Sequence, residues 1–332
     1  MAKNEKKKYW LKILATLFLS LFAFIIFSNF KNIKDALLGA NYGDIAIAIS
    51  MALASCLFGT YAFSEINQIF GLRNDNKRLF SIGFITIAFN NLITLGGSTG
   101  HTLRILLLKD KHQIKNILTA SFFFSYLNIL ALAILSFISI GAAFFSADIP
   151  QKVLKTFEAI FFIYLLIVFL ISFVTLKHNF RKKLLLKTAN IIKRLFKKDF
   201  IYDFMHIDQI LLSGLNALGK FGLFSWKILG FILLDWIFSA ITLFFCFRAL
   251  KIFLDPAILF SGYFVGIATG LASMLPGGLG AQDLSQIAFY NIFGISISTA
   301  MSIDILFRIT YYFIPFLAAL AMYWRLILKI KK

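Results

Sequence analysis

Long apolar stretches separated by short basic loops make up most of this chain. A helix needs about 20 residues to cross the hydrocarbon core of a bilayer. Six stretches have roughly that length, and they cover residues 10–29, 44–63, 116–145, 153–176, 223–247 and 299–326. The pattern therefore predicts an all-α polytopic membrane protein with about six full spans.

Two glycine-rich sequences interrupt the apolar pattern at similar places in the two halves. They read LGGSTGHTLR at residues 95–104 and LPGGLGAQDL at residues 275–284. A broken helix leaves backbone N–H and C=O groups that only protein or a water-filled cavity can satisfy at membrane depth. Paired interruptions are typical of transport sites, although glycines also simply permit close helix packing.

Short apolar segments flank each interruption and predict two re-entrant hairpins. The first hairpin consists of residues 79–95 and 103–108, and the second consists of residues 263–275 and 284–293. A helix of six residues rises only about 9 Å, so the return arm of the first hairpin is too short to cross. Basic residues on both sides place the ends of the first hairpin in the cytoplasm, and charge parity then makes the second hairpin enter from the outside.

Composition and charge add the orientation. The chain is 60% hydrophobic and carries a net charge of +19. Its basic residues lie beside apolar stretches, a pattern that sets orientation in a bilayer and indicates no nucleic-acid partner. Both termini and the loop at residues 177–200 are basic, so we expect all three in the cytoplasm of a multi-pass plasma-membrane protein. Cys56 and Cys246 show no metal or redox spacing, and we expect no metal and no cofactor.

Opposed hairpins indicate an inverted repeat. Residues 1–176 form the first predicted membrane repeat, and residues 223–332 form the second. The basic cytoplasmic segment between them, residues 177–222, contains an amphipathic helix at residues 181–198. This helix either binds anionic lipids of the inner leaflet or acts only as a topology anchor.

Ionisable residues at membrane depth are costly and are therefore functional candidates. Arg104 ends the first interruption, and its guanidinium is suited to bind a phosphate through two hydrogen bonds. His101 beside it is either a ligand contact or a structural histidine. Asp283 follows the second interruption, where it would pair with a buried arginine or with a cationic substrate group. Asp235 lies mid-span, and we expect it to have a structural partner on another helix.

The last span and the second interruption add further candidates. Asp304 and Arg308 are four residues apart, so they form either an internal ion pair or a ligand contact. The backbone amides of the second interruption would bind an anion as a nest, or would only form a turn. The glycines concerned are Gly277, Gly278 and Gly280.

At these positions the chain resembles the lysylphosphatidylglycerol synthase transmembrane-region family, which includes the flippase domain of the multiple peptide resistance factor. Residues 276–283 are similar to the Pro-x-Gly-x-Gly pattern of the family and its following acid, which is usually Glu and here is the shorter Asp283. Residues 96–104 resemble the first glycine-rich segment of the family, which ends in Arg. Arg308, Tyr312 and Pro315 resemble the pattern of its final span.

The resemblance implies translocation of an anionic or aminoacylated phospholipid between leaflets, as by a flippase or scramblase. Phospholipid headgroups are the implied partners, with a homo-oligomer or a separate lipid synthase as further partners. In this hypothesis Arg104 and Arg308 engage the phosphate and Asp283 balances the charge. We expect no synthase domain and no catalysis in this chain. Two alternatives stay open, a membrane-embedded enzyme acting on lipid phosphates through Asp283 or His101, and a small-solute transporter.

Overall fold

The computed structural model describes residues 30–72, 76–92, 98–146, 177–196, 223–273 and 275–330, together with isolated positions within 155–173 and 205–216. Regular structure in these parts of the chain is helical throughout, which confirms the all-α prediction. The predicted spans at 10–29 and 153–176 lie wholly or mostly outside the described residues. The other four predicted spans are present as long helices.

The helices are, in chain order, α1 (Phe30–Leu38), α2 (Tyr42–Ile69), α3 (Asn76–Leu92), α4 (Ser98–Leu108), α5 (Ile114–Ser146), α6 (His178–Phe196), α7 (Leu223–Ala249), α8 (Pro256–Ser273), α9 (Ala281–Ile292), α10 (Ile297–Phe307) and α11 (Ile314–Ile330). A 3₁₀ turn, Pro276–Gly278, lies between α8 and α9, and a π-helical turn, Arg308–Phe313, joins α10 to α11. Within the described ranges, five segments are long and apolar enough to cross a membrane. They are Tyr42–Ile69, Asn116–Phe145, Trp226–Ala249, Pro256–Ser273 and Ile297–Leu326.

Helices α2 and α7 pack against each other along their whole length and form the scaffold of the fold. The amide of Asn41 donates to the carbonyl of Ala249 over 2.8 Å at one end. Lys227 Nζ lies 2.7 Å from Glu65 Oε1 at the other end. These contacts make the two helices antiparallel. One hydrophobic cluster on this pair includes α3 and α4, and another includes α8, α9 and α10.

The first predicted hairpin is present as the antiparallel pair α3 and α4. Arg78 Nη2 donates to the carbonyl of Leu107 over 3.5 Å. At the other end of the pair, the amide of Gly100 donates to Asn90 Oδ1 over 3.3 Å. The 17 residues of α3 and the 11 residues of α4 therefore lie side by side, with the connection at residues 93–97.

The second predicted hairpin is present as the antiparallel pair α8 and α9, which pack very closely. Three glycines at four-residue intervals on α8 face three side chains at four-residue intervals on α9. A Cβ atom at Gly262 or Gly266 would overlap the side chain of Tyr290 or Gln286. These glycines, which lie outside the two interruptions, thus permit the close packing of α8 and α9.

Helix α8 is longer than the sequence pattern predicted. It begins at Pro256 rather than at residue 263, and its 18 residues are long and apolar enough for a span of their own. The antiparallel packing of α8 and α9 is observed. Whether the pair enters the membrane only partway, as a re-entrant hairpin, stays a prediction.

The turn of the second hairpin contacts the end of helix α3 in the first hairpin. Gly277, in the 3₁₀ turn of the second hairpin, has a φ of +60°, and a Cβ atom there would lie 2.7 Å from the carbonyl oxygen of Leu92 at the end of α3. Only glycine allows both this backbone conformation and this approach. The turn of the second hairpin therefore packs against the end of α3 in the first hairpin.

The basic central segment forms helix α6, close to the predicted boundaries. Lys182, Lys183 and Lys187 are exposed on it. Arg181 differs from these lysines because its side chain is buried and its Nε lies 2.6 Å from Asp208 Oδ1. This ion pair ties α6 to the segment that follows it, so Arg181 does not belong to the basic surface.

Candidate functional site

A cavity of about 370 Å³ lies between the 3₁₀ turn of the second hairpin, helices α3 and α4 of the first hairpin, α5 and α7. Its wall combines apolar residues with side chains that carry charge or hydrogen-bonding groups. Six of the polar residues are Asn90, His101, Arg104, Asn128, Asp235 and Gln282. A mostly apolar pocket with a few convergent polar groups is the usual form of a binding site for an organic ligand.

Arg104 places a buried cation on this cavity. It lies on α4, and only 4% of the residue is exposed. Its guanidinium carbon lies 4.7 Å from the ring centre of Phe63 and 4.9 Å from that of Phe124. Among the described residues no carboxylate forms a salt bridge with it, and its Nε has no hydrogen-bond partner. The two aromatic faces hold the cation without neutralising it.

Asp235 places a carboxylate on the same cavity. It accepts a hydrogen bond of 2.5 Å from Ser55 Oγ on α2. Gly59, one turn further along α2, leaves room for the carboxylate, because a Cβ atom there would lie 2.5 Å from Asp235 Oδ2. The expected structural partner on another helix is therefore present. Sequence reasoning nevertheless missed that Asp235 lines the cavity, and the signal was an acid at mid-span.

Asp283 and Arg308 form a buried pair that stabilises the tip of the second hairpin. Arg308 Nε donates to Asp283 Oδ1 over 2.6 Å, and its Nη2 contacts the same oxygen. The other carboxylate oxygen accepts the amide of Gly280 over 2.7 Å, as a cap on α9. Arg308 also lies 3.4 Å from the carbonyl oxygen of Gly277 through Nη1. The pairing with a buried arginine, one of the two alternatives for Asp283, is thus present.

Asp304 lies beside this pair and has much weaker contacts. Its Oδ2 lies 3.8 Å from Arg308 Nε, which is an ion pair but exceeds hydrogen-bonding distance. The residue is 2% exposed, and neither carboxylate oxygen has a hydrogen-bond partner within the described part of the chain. The predicted i,i+4 pair is present, but Arg308 is bound mainly to Asp283.

The remaining predicted site residues divide between the cavity and the turn. His101, Gly277 and Gly278 line the cavity. The amide of Gly278 donates to the carbonyl of Leu275 over 3.0 Å, and the amide of Gly280 is used by Asp283. These two amides therefore form the turn and the helix cap rather than an open nest.

No group of three or more His, Cys, Asp or Glu side chains that could hold a metal ion occurs among the described residues.

The predicted site residues fall into two groups. Arg104, His101, Gly277 and Gly278 line one cavity. Arg308, Asp283 and Asp304 do not line it and lie beside the turn at Gly277.

The comparison with known proteins agrees with this architecture. Residues 9–319 match the family described as lysylphosphatidylglycerol synthase TM region. A phosphatidylglycerol lysyltransferase of Bacillus subtilis (strain 168) is 21% identical over 323 residues, which are 95% of this chain and 34% of that protein. The phosphatidylglycerol lysyltransferases of Staphylococcus aureus strains MRSA252 and COL are 28% and 29% identical over 86 and 90 residues, 26% of this chain and 10% of each relative.

The chain thus spans about a third or less of the length of these relatives. The family match, in contrast, covers nearly all of this chain and includes the described hairpins. This multi-pass membrane protein belongs to the lysylphosphatidylglycerol synthase transmembrane-region family, and its function is related to lipids.

Proposed function

We propose that this chain moves phospholipids with anionic or aminoacylated headgroups between the two leaflets. The observation that supports this most is the buried Arg104 cation on the cavity, which has no carboxylate partner in the part of the chain that the structure describes. A buried cation without a carboxylate partner costs free energy. A lipid phosphate that enters the cavity removes this cost and forms two charge-assisted hydrogen bonds with the guanidinium.

The second charge on the cavity fits the same class of ligand. Asp235 is held by Ser55 on the rigid α2–α7 pair, so its carboxylate has a defined position. A headgroup with both a phosphate and an ammonium group would find a partner for each charge. The relatives are named phosphatidylglycerol lysyltransferases, which describes transfer of a lysyl group to phosphatidylglycerol, and the lysylated lipid would carry both charges. The acyl chains would stay in the membrane while the headgroup passes.

The site residues have distinct roles in this proposal. Arg104 contacts the phosphate directly, and His101 lies close enough to the cavity to add a hydrogen bond. Asp283 and Arg308 act indirectly, because they fix the turn at Gly277 that closes the cavity. No catalytic step is assigned to any of these groups.

Orientation and further partners belong to the same proposal. Both termini and α6 would lie in the cytoplasm, with the lysines of α6 against anionic lipids of the inner leaflet. The chain would act in the plasma membrane, as a homo-oligomer or beside a separate lipid synthase. Residues 1–176 and 223–332 would form the two inverted repeats around the cavity, with 177–222 as the basic segment between them.

The test is lipid movement in liposomes that contain the purified chain. Fluorescent phosphatidylglycerol and its lysyl derivative are placed in both leaflets, and a membrane-impermeant quencher reports the inner-leaflet lipid that reaches the outside. We expect quenching beyond that of protein-free vesicles, and its loss in Arg104→Met. Arg248→Met is the matched control. The guanidinium carbon of Arg248 also lies over a phenylalanine ring, 5.1 Å from the centre of the Phe245 ring, but Arg248 does not line the cavity.

Two results would contradict the proposal. One is the absence of lipid movement with either lipid from folded protein. The other is equal lipid movement by Arg104→Met and by the chain without substitution, which would exclude the cavity as the path. Chemical conversion of the lipid during the assay would instead favour a membrane-embedded enzyme, and solute flux without lipid movement would favour a small-solute transporter.

A further inference from the structure

The tip of the second hairpin has two buried carboxyl groups for one guanidinium. Asp283 is fully buried and Asp304 is 2% exposed. Arg308 gives its short contacts to Asp283 and leaves Asp304 at 3.8 Å. With both acids ionised, this cluster carries one negative charge without compensation, in surroundings where such a charge is very costly.

Among the described residues, the groups around Asp304 include no second cation. Its electrostatic neighbours besides Arg308 come from α9, α7 and the π-helical turn, and they are Asp283, Tyr290, Cys246 and Tyr312. Helix α1 also packs against α10, but its charged side chains Lys31, Lys34 and Asp35 are exposed. All four neighbours are acids that are neutral or negative.

We infer that Asp304 is a proton-binding site. Its carboxyl group carries the proton while Arg308 is bound to Asp283. On release, the O–H bond breaks, the electron pair stays on Asp304 and the proton passes to water. Neither oxygen of Asp304 has a hydrogen-bond partner among the described residues, so no donor there would stabilise the ionised carboxylate. Buried acids of membrane proteins commonly act as proton sites.

Proton release changes the contacts of the hairpin tip. An ionised Asp304 competes with Asp283 for Arg308 and draws the guanidinium towards α10. Arg308 then weakens its bond to the carbonyl of Gly277, the residue whose Cα lies against Leu92 of the first hairpin. The π-helical turn begins at Arg308, and such turns are frequent at functional sites. The proton on Asp304 therefore keeps the tip closed, and its loss opens the cavity.

Infrared spectroscopy tests the proton site without any transport readout. Proteoliposomes are moved from acidic to alkaline buffer, and the C=O stretching band of protonated carboxylic acids is followed. We expect a band that disappears on alkalinisation, and its absence in Asp304→Asn. Asp110→Asn, at an exposed position outside the cluster, is expected to keep the band. If Asp304→Asn shows the same pH-dependent carboxylic-acid band as the unsubstituted chain, the inference is overturned.

Lipid movement tests the consequence and rests on the proposed function. We expect the rate to rise with pH by up to about tenfold per unit, as for one titrating group. Asp304→Asn should keep the low rate of the acidic state and vary by less than about twofold over the same range. An unchanged pH profile in Asp304→Asn overturns the inference.

Two further measurements keep the outcomes separate. Asp304→Glu retains a carboxyl group and should retain both the band and the pH dependence, and loss of both in folded Asp304→Glu overturns the inference. This variant decides the question if Asp304→Asn does not fold. Absence of lipid movement at every pH, with the infrared band present and lost in Asp304→Asn, contradicts the proposed function and supports the proton site.

Discussion

Replacing Arg104 by methionine should separate stability from function. Methionine has an unbranched apolar side chain, so it fills much of the space between the rings of Phe63 and Phe124 without the charge. The variant loses two cation–π contacts, each worth about 2 kcal/mol when desolvated. It also removes a buried cation that forms no salt bridge among the described residues, and the desolvation penalty of such an ion is several kcal/mol.

The two effects oppose each other and are of similar size. We expect the free energy of unfolding to stay within about 2 kcal/mol of the unsubstituted value. Headgroup binding should weaken by about 100-fold or more, because the guanidinium forms two charge-assisted hydrogen bonds of about 1.5–3 kcal/mol each. If Arg104 acts on the ligand rather than on the fold, Arg104→Met should be about as stable as the unsubstituted chain and should bind lipid much more weakly.

Thermal unfolding in detergent, with and without phosphatidylglycerol, measures both quantities. A lipid that binds the folded state raises the unfolding midpoint. We expect this rise in the unsubstituted chain and its loss in Arg104→Met. Arg248→Met should show the opposite behaviour, because it leaves the buried Asp44 without its partner yet keeps the cavity. Strong destabilisation of Arg104→Met, by about 3 kcal/mol or more, would refute the reasoning and make Arg104 a structural residue.

Three further predictions concern stability. Gly277→Ala should lower the unfolding midpoint by the equivalent of about 1–3 kcal/mol. The new Cβ atom would lie 2.7 Å from the carbonyl oxygen of Leu92, and a φ of +60° is unfavourable for alanine. An unchanged midpoint would mean that the turn at Gly277 does not pack against Leu92. Asp283→Asn should cost about 3–5 kcal/mol by leaving Arg308 unpaired, and adding Arg308→Met should recover much of this in a double-mutant cycle. Glu65→Gln, in a partly exposed pair, should change stability by less than about 1 kcal/mol in the same denaturation assay, and a larger loss would show that this end of the scaffold is dry.

The sequence located the hairpin tips because their cause is local. Gly277, Gly278 and Gly280 adopt positive φ. Positive φ is a local backbone conformation that favours glycine, so the residue types alone indicate the turn. The pairing of Asp283 with a buried arginine was also among the alternatives, since a buried carboxylate needs a partner. The family resemblance drawn from these residues is confirmed by the match over residues 9–319.

Other features depend on contacts between distant parts of the chain and were not predicted. The cavity position of Asp235 depends on Ser55 and Gly59, about 180 positions earlier in the sequence. The aromatic surroundings of Arg104 come from two other helices. The glycine stripe of α8 escaped notice because glycine inside an apolar stretch carries no sign of the residue that will face it. Whether Arg104, Arg308, Asp283 and His101 act on a lipid stays a prediction.

The antiparallel pairing of α2 and α7 also has a consequence for biosynthesis. The pair Lys227–Glu65 joins residues 162 positions apart, and Ser55 meets Asp235 180 positions later. Helix α2 therefore leaves the ribosome and enters the membrane long before its main partner exists. Until α7 follows, the face of α2 with Ser55 and Gly59 lies against lipid, the insertion machinery or another helix. The site that opposes Arg104 to Asp235 is thus completed only late in synthesis.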